Sequence, residues 1–480
     1  MLLRPARGEG PSLTLGLCLL CVGASHNRFE HSLGTCHLAN NVFTHLYRRV
    51  CSRTSAHGSA RSPSPPPPVA ARLQKDDLEA DRSDGEAVAL AGLCHDLGHG
   101  PFSHVFDTEF LPRRHGSQYD PDAWSHEAMS SSMLEYLVDE NHIETASRGG
   151  SDIIRRVQSL ITSGHTRRAS QQGSDPPGRG YLREIVANAR NSVDVDKFDY
   201  IQRDCQNCGL KNSSDFGRLM LYMKVIEDEI CFKASEVLNL YELFHTRASL
   251  HQRVYTHRKA KAIEYMVVDA LVQADAAWGG EISNAVWQPN EFVKLDDTVL
   301  KRIEWSTDAA LKPAQEVLQR LRRRELYRFV NEFTVPSARL PAWRDVTPED
   351  IVACQDAGNS SVPWGLRPED VIVHNLKIDW AMKNKNPVDQ IHFYHDYSSL
   401  EKFSIPKEKV SSLIPDIFLE RKVRVYSRRD DPRYVDAVEQ AFISYQRRQF
   451  NAETQVHRTP VKRSRKRSAA DSGGAVASLF

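Results

Sequence analysis

Residues 86–104, EAVALAGLCHDLGHGPFSH, constrain the fold more than any other stretch of the chain. Val88, Leu90, Ala91, Leu93, Cys94 and Leu97 recur at near-helical spacing, and Gly98, Gly100 and Pro101 then stop the helix. A helix therefore ends where His95 and Asp96 stand side by side. Adjacent helical positions point about 100° apart, so these two side chains aim at one ion only at a helix end faced by groups from elsewhere. His99 and His104 place two further imidazoles nearby. Taken alone, the pair is equally a capped helix end.

The 480-residue chain has room for about three average domains, or for one large helical core with a lobe. Its 63 basic and 62 acidic residues nearly cancel, so only local clusters argue for nucleic acid or membrane. Nine cysteines, sparse and odd in number, fit a reduced intracellular protein better than a disulfide scaffold. Cys18-x-x-Cys21 and Cys205-x-x-Cys208 have zinc-like spacing, but they lie far apart and the first falls in an apolar run, which argues against a structural zinc. That run, residues 13–24, follows Arg4 and Arg7 and imitates a signal peptide. It is too short to cross a bilayer, and the nuclear character of the C-terminus favours a buried element over an export signal.

Residues 25–50 read as an amphipathic helix built on Phe29, Leu33, Cys36, Val42, Phe43, Leu46 and Tyr47, with Glu30 and His31 in its first turns. Residues 52–85 contain Pro63 and four consecutive prolines at 65–68, a composition that cannot bury a core, so a disordered insertion is expected between two core helices. Residues 125–139 begin with a capping Ser125 and carry His126 and Glu127 in the first helical turn. Residues 164–179 read as a surface loop. Residues 181–205 hold two helical segments, the second with Asp194, Asp196, Asp199 and Asp204. Four carboxylates so close repel one another unless a cation or basic groups face some of them, or unless the face is simply solvated.

Residues 238–274 form one long helical pattern carrying Arg247, His251, Arg253, Tyr255, His257, Arg258 and Lys259. Basic groups at three- and four-residue intervals suit an anionic ligand or an ordinary solvated face. Past Arg324, β-formers at 371–378, 390–394 and 423–426 precede a helix at 432–450, which suggests a small α+β lobe. The expected division is a divergent segment 1–24, a core 25–328, a lobe 329–452 and a basic disordered tail 453–480. Residues 458–467 contain six basic residues and no acidic one, a nuclear-import or nucleic-acid-contact signal. Thr459-Pro460-x-Lys462 fits a proline-directed phosphorylation site, where a phosphate would add about −1.5 to −2 charges.

In order, His31, the His95–Asp96 pair and Asp196 make a pattern H…HD…D from three helices. Two imidazoles and two carboxylates suit iron, zinc, manganese or a similar divalent ion and leave open positions on a six-coordinate one. That is a hydrolytic arrangement.

NRFEHSLG at 27–34, AGLCHDLGHGPFSHVFD at 91–107, WSHE at 124–127, DVDKFDYIQRDC at 194–205 and LFHTRASLHQRVYTH at 243–257 resemble the HD-domain deoxynucleoside triphosphate triphosphohydrolases that carry a sterile alpha motif. The resemblance runs in blocks from about residue 23 to residue 450. It implies a mainly α fold, an HD-type helical core with a small α+β C-terminal lobe. It further implies that His31, His95, Asp96 and Asp196 hold the metal. His126 resembles the general acid for the leaving 5′ oxygen, supported by Glu127, Asp107 and His104. Arg28, His99, Lys197, Tyr200 and Arg247 resemble triphosphate contacts, and His251 joins the substrate-binding set. Asp204 and Tyr255 resemble the sugar readers, the first accepting from the 3′-hydroxyl and the second crowding out a 2′-hydroxyl. The family also implies Mg bridging the nucleotide phosphates, GTP or dNTP as allosteric activators, and assembly into a homo-tetramer.

Some positions depart from the family. The sterile alpha motif and the stretch before NRFEH, which supply sugar, base and activator contacts, are replaced by about twenty unrelated residues. Thr256 stands where the family has a glutamine near the sugar. Arg218, Lys233, His257, Arg258, Arg324 and Arg428 match or replace the basic residues of the activating nucleotide site, together with Asn239, so half of that site is expected and half is not. Two other readings stay open: a nuclear protein binding single-stranded RNA or DNA with weakened catalysis, and a different HD phosphodiesterase or nuclease.

Overall fold

The structure is a computed structural model that describes residues 24–56, 80–116, 120, 123–145, 150–164, 178–356 and 362–450, the side chains of 49–56 excepted. The signal-like run, the proline run, nearly all of the 164–179 loop and the basic tail with Thr459 lie outside those residues. The chain divides into two compact units. The first comprises residues up to Tyr327 with Thr334–Asp345 and Asn375–Lys422, and the second Arg328–Phe333, Val346–His374 and residues from Val423 onward. Of the expected lobe 329–452, two stretches thus group with the first unit.

The first unit is mainly helical. Helix α1 (Arg28–Ala56) buries Ala39, Val42, Phe43 and Leu46, a helical stripe. Helix α2 (Arg82–Cys94) answers it with Ala87, Val88, Ala91 and Cys94. Their crossing is close because position 92 is glycine: a Cβ there would sit 3.0 Å from the Thr35 carbonyl oxygen. Both helices reach into the segment expected to be a disordered insertion. The start of α2 is fixed by a capping box, in which the Asp81 side chain accepts from Asp84 N–H and the Asp84 side chain accepts from Asp81 N–H. Asp at both positions carries that signal as well as the more familiar Ser and Glu.

Helix α3 (His126–Glu140) is capped by Ser125, whose Oγ accepts from Ala128 N–H, and α4 (Ser151–Thr162) follows. Helix α5 (Val195–Asn207) starts at Asp194, whose carboxylate accepts from Lys197 N–H. The long helix expected over 238–274 is instead α6 (Val237–Leu250), a π-helical turn (His251–Tyr255) and α7 (Arg258–Ala277). The Thr256 hydroxyl and N–H both donate to the His251 carbonyl, 2.6 and 3.0 Å away, which closes the wide turn and ends the ladder there.

A three-stranded sheet also belongs to this unit. Strands β1 (Met223–Ile226) and β2 (Glu229–Lys233) pair antiparallel with Met223 opposite Phe232 and Ile226 opposite Glu229. Sequence reading missed this hairpin because its turn is Glu227-Asp228 rather than Asn-Gly. Both residues have positive φ, 50° and 59°. The Asp228 carboxylate accepts from the Gly180 and Tyr181 N–H groups, which holds the turn in place.

A second sheet has the order β3-β6-β4, from β3 (Arg328–Thr334), β4 (Val371–Asp379) and β6 (Leu419–Ser427); of these strands the second unit holds residues 328–333, 371–374 and 423–427, and it also holds helix α8 (Pro432–Phe450), which buries Val438, Ala441 and Phe442. Strand β5 (Phe393–Tyr394), read from sequence as part of this lobe, runs parallel to β2 in the other sheet. Among the described residues no helix is long and apolar enough to cross a membrane.

Candidate metal centre and active site

Three helices bring the H…HD…D residues together. His31 stands in the second turn of α1, His95 caps α2 with Asp96 beside it, and Asp196 opens α5. His31 Nε2 lies 3.3 Å from Asp96 Oδ2 and 3.1 Å from Asp196 Oδ1. His95 Nε2 lies 3.4 Å from Asp96 Oδ1 and 3.5 Å from Asp196 Oδ1. Ligand atoms about 2.1 Å from a shared ion are separated by about 3.0 Å along an octahedral edge and about 3.4 Å along a tetrahedral one. The observed spacings gather His31, His95 and Asp96 closely enough to hold one cation, with Asp196 set against both imidazoles.

Both imidazoles are set for that task. His95 Nδ1 donates to the Gly92 carbonyl at 2.9 Å, which leaves the lone pair on Nε2, and this atom is buried without a hydrogen-bond partner among the described residues. His31 Nδ1 lies 2.7 Å from Asp199 Oδ2, and Arg203 grips the same carboxylate with Nε and a terminal nitrogen, each at 2.8 Å. Asp199 was legible in the sequence only as one of four carboxylates; its role is to orient His31 from behind. Gly34 makes room for this arrangement, since a Cβ there would meet Asp199 Oδ1 at 1.9 Å. Burial by itself would lower the His31 pKa, but hydrogen bonds to Asp196, Asp199 and Asp96 raise it well above the usual value.

Glycine also controls the approach of the second helix pair. A Cβ at Gly98 would fall 2.1 Å from the His126 carbonyl oxygen, so the end of α2 lies directly on the first turn of α3. Ser130, fully buried, locks the contact: its Oγ accepts from Gly98 N–H at 2.8 Å and donates to the His95 carbonyl at 2.6 Å. His126 is thereby held next to the HD pair. Its Nε2 is 2.9 Å from Glu127 Oε1 and its Nδ1 3.3 Å from Asp107 Oδ2, while His104 Nδ1 lies 3.4 Å from the same Asp107 oxygen. Burial works against a charged His126, yet the bonds to Asp107 and Glu127 push its pKa up to about 10.

His99, His104, Asp107 and His126 are close enough to suggest a second ion. Ring geometry argues otherwise. The His99 and His126 rings stack 4.0 Å apart with planes only 17° from parallel, and lone pairs lying in nearly parallel planes do not converge on one ion. Burial, Arg28 and His126 all hold the His99 pKa well below its usual value, so a neutral imidazole lies against a cationic one.

Cationic groups surround both clusters and are themselves anchored. Arg28 hydrogen-bonds Asp96 through one terminal nitrogen and Ser103 Oγ through Nε. Lys197 Nζ lies 3.0 Å from Asp194 Oδ2, and Arg247 donates to the Asp379 carbonyl at 2.8 Å. Tyr200 is half-buried, and the charges of Arg247 and Lys197 reach it. On the π-turn, His251 has its pKa pushed down to about 3 by burial, Arg247 and His104. The Tyr255 hydroxyl donates to Asp204 Oδ2 at 2.5 Å, whereas Thr256 uses its hydroxyl on the backbone.

Arg218, Lys233 and Asn239 also gather. Arg218 pairs with buried Glu236 at 2.7 Å and, like Lys233, lies over the Tyr222 ring; Asn239 donates to Glu236 and to the Asp215 carbonyl. His257 and Arg258 begin α7, Arg324 follows the helix Lys312–Arg322 with φ of 62°, and Arg428 belongs to the second unit.

Residues 28–204 match the HD domain family, and residues 214–443 match the family described as an HD associated region. The chain is 39% identical to the deoxynucleoside triphosphate triphosphohydrolase SAMHD1 homolog of Dictyostelium discoideum, over 84% of this chain and 69% of that protein. It is 34% identical to SAMHD1 of Xenopus laevis over 88% of this chain and 67% of the relative. Against the Homo sapiens protein the identity is 33% over 88% of this chain. With the HD centre assembled and both halves of the fold matched, the chain belongs to the HD-domain family of the SAMHD1 deoxynucleoside triphosphate triphosphohydrolases.

Proposed function

We propose that the chain hydrolyses deoxynucleoside triphosphates in a metal-dependent reaction, giving a deoxynucleoside and inorganic triphosphate and so controlling dNTP pools. The observation that carries this reading is the placement of one imidazole bridging two carboxylates, His126, directly beside the His31, His95, Asp96 and Asp196 donor set. His31, His95, Asp96 and Asp196 would hold iron, zinc or manganese, which when bound would supply Lewis acidity toward water and a phosphoryl oxygen.

The remaining steps fall to the chain itself. Arg28, Lys197 and Arg247 neutralise the triphosphate, to which magnesium would add further positive charge, with His99, Tyr200 and His251 as neutral contacts. Their carboxylate and carbonyl partners fix them in place before the nucleotide arrives. Glu127 and Asp107 hold His126 in its cationic form, and as water adds to the α-phosphorus the ring gives its own Nε2 proton to the leaving 5′ oxygen, breaking its contact with Glu127; Asp107 and His104 hold the ring from the other edge. Asp204 accepts from the sugar 3′-hydroxyl and Tyr255 closes the space a 2′-hydroxyl needs.

Regulation and location are part of the same reading. Arg218 and Lys233 over the Tyr222 ring, with Asn239 beside Glu236, support half of a GTP or dNTP activator site in a homo-tetramer, and His257, Arg258, Arg324 and Arg428 match or replace other basic residues of that site. The basic run at 458–467 supports a nuclear location, phosphorylation at Thr459 and contact with single-stranded nucleic acid.

The test is product analysis with a double substitution. Purified protein with dGTP, with and without GTP, is expected to release intact triphosphate, and H95A/D96A is expected to release none. Stepwise release of single phosphates would point to a different phosphohydrolase, and activity retained in the metal-free double variant would refute the assignment.

A further inference from the structure

His26 lies two residues before α1, is 6% exposed, and takes no part in the reaction described above. Its Nε2 is 2.6 Å from Asp204 Oδ1, while the other Asp204 oxygen accepts from the Tyr255 hydroxyl. A carboxylate only accepts, so both contacts are donations, one to each oxygen. His26 Nδ1 is buried with no hydrogen-bond partner among the described residues. With the ring hydrogen on Nε2, what goes unmet at Nδ1 is a lone pair rather than an N–H donor, so the geometry selects that tautomer.

We propose that His26 is the positioning residue of the sugar subsite, setting the preference for 2′-deoxyribose through Asp204 and Tyr255. The inference rests on the sugar reading of that pair. A carboxylate held at one oxygen swivels about its Cβ–Cγ bond; held at both, its plane is fixed. Three separate segments meet here: the residue leading into α1, the last turns of α5 and the π-turn after α6. The clamp therefore fixes the phenol ring against the sugar as well as the carboxylate. Tyr255 cannot retreat without giving up its bond to Asp204, and Asp204 cannot rotate without giving up His26. A 2′-hydroxyl meets a wall whose position His26 helps to set.

The test uses the full, metal-loaded chain with dCTP and CTP as paired substrates at one constant GTP concentration. H26A is expected to raise KM for dCTP about tenfold with little change in kcat, and to narrow the dCTP-over-CTP ratio of kcat/KM by a similar factor. H26Q, whose amide nitrogen reaches about as far as Nε2, is expected to restore most of both. Should H26A fail to fold, H26N, with an amide too short to reach Asp204, takes its place with the same expected loss. Variants with unchanged KM and unchanged selectivity overturn the inference and leave the triphosphohydrolase reading standing. Loss of kcat and metal content for both nucleotides alike also overturns it, because that is the mark of a purely structural tie. A wild-type chain that releases no triphosphate from dCTP overturns the functional reading and this inference with it.

Discussion

Gly34→Ala sets local propensity against the site. Gly34 lies within α1, where alanine is favoured over glycine by about 1 kcal/mol, so helix propensity alone predicts a more stable protein. The tertiary structure predicts a damaged metal centre. The new Cβ would stand 1.9 Å from Asp199 Oδ1 and 2.6 Å from an Arg203 terminal nitrogen, while ordinary contact begins at 3.4 Å. Asp199 must retreat by about 1.5 Å, the difference between the first and last of those distances. A movement of that size breaks its 2.7 Å hydrogen bond with His31 Nδ1. Both displaced groups are side-chain ends, so the fold survives and the cost falls on the imidazole they orient. Loss of such an orienting carboxylate weakens metal binding by about 10–100-fold, or about 1.4–2.7 kcal/mol. Metal content by plasma mass spectrometry after dialysis against graded chelator reads the affinity, circular dichroism reads the fold, and D199N serves as the variant that keeps the space but removes the charge. A G34A protein that retains metal as tightly as the wild type would refute the reasoning, whatever its activity.

Three further outcomes follow from the site geometry. The alkaline limb of kcat/KM is expected near pH 10, where His126 loses its proton, and E127Q, which removes one of the two carboxylates raising that pKa, is expected to move the limb down by about one unit or more; a limb that stays in place refutes the acid role. The stability this raised pKa contributes is complete below the unfolded value of 6.5 and is lost as pH rises through about 10, so the same E127Q change is expected to flatten the denaturation free energy measured between those limits. Ser130→Ala strands the buried Gly98 N–H and is expected to cost about 1–3 kcal/mol in urea unfolding, with activity falling as His95 loosens; a change below 0.5 kcal/mol, roughly the scatter of surface substitutions, would show that α3 does not lock the HD turn.

The sequence by itself determined the elements that carry the chemistry. Apolar spacing ending in a Gly-rich turn set the end of α2 at His95, Ser125 announced α3 with His126 in its first turn, and Asp194 announced α5 with Asp196 behind it. These signals are local: each depends on backbone groups within one helical turn, so a reader of the sequence has everything required. The order H…HD…D likewise named a donor set before any distance was known. Tertiary structure decided the rest. The break between α6 and α7 depends on one threonine hydroxyl reaching a carbonyl five residues back, and residues 390–394 found their partner in a hairpin whose turn carries no familiar signature. Above all, the residues that make the centre work at a distance, Asp199 behind His31, Ser130 behind His95 and His26 behind Asp204, are separated from their targets by 35 to 178 positions. Close packing put them there, and periodicity along one helix holds no record of what another helix presents to it.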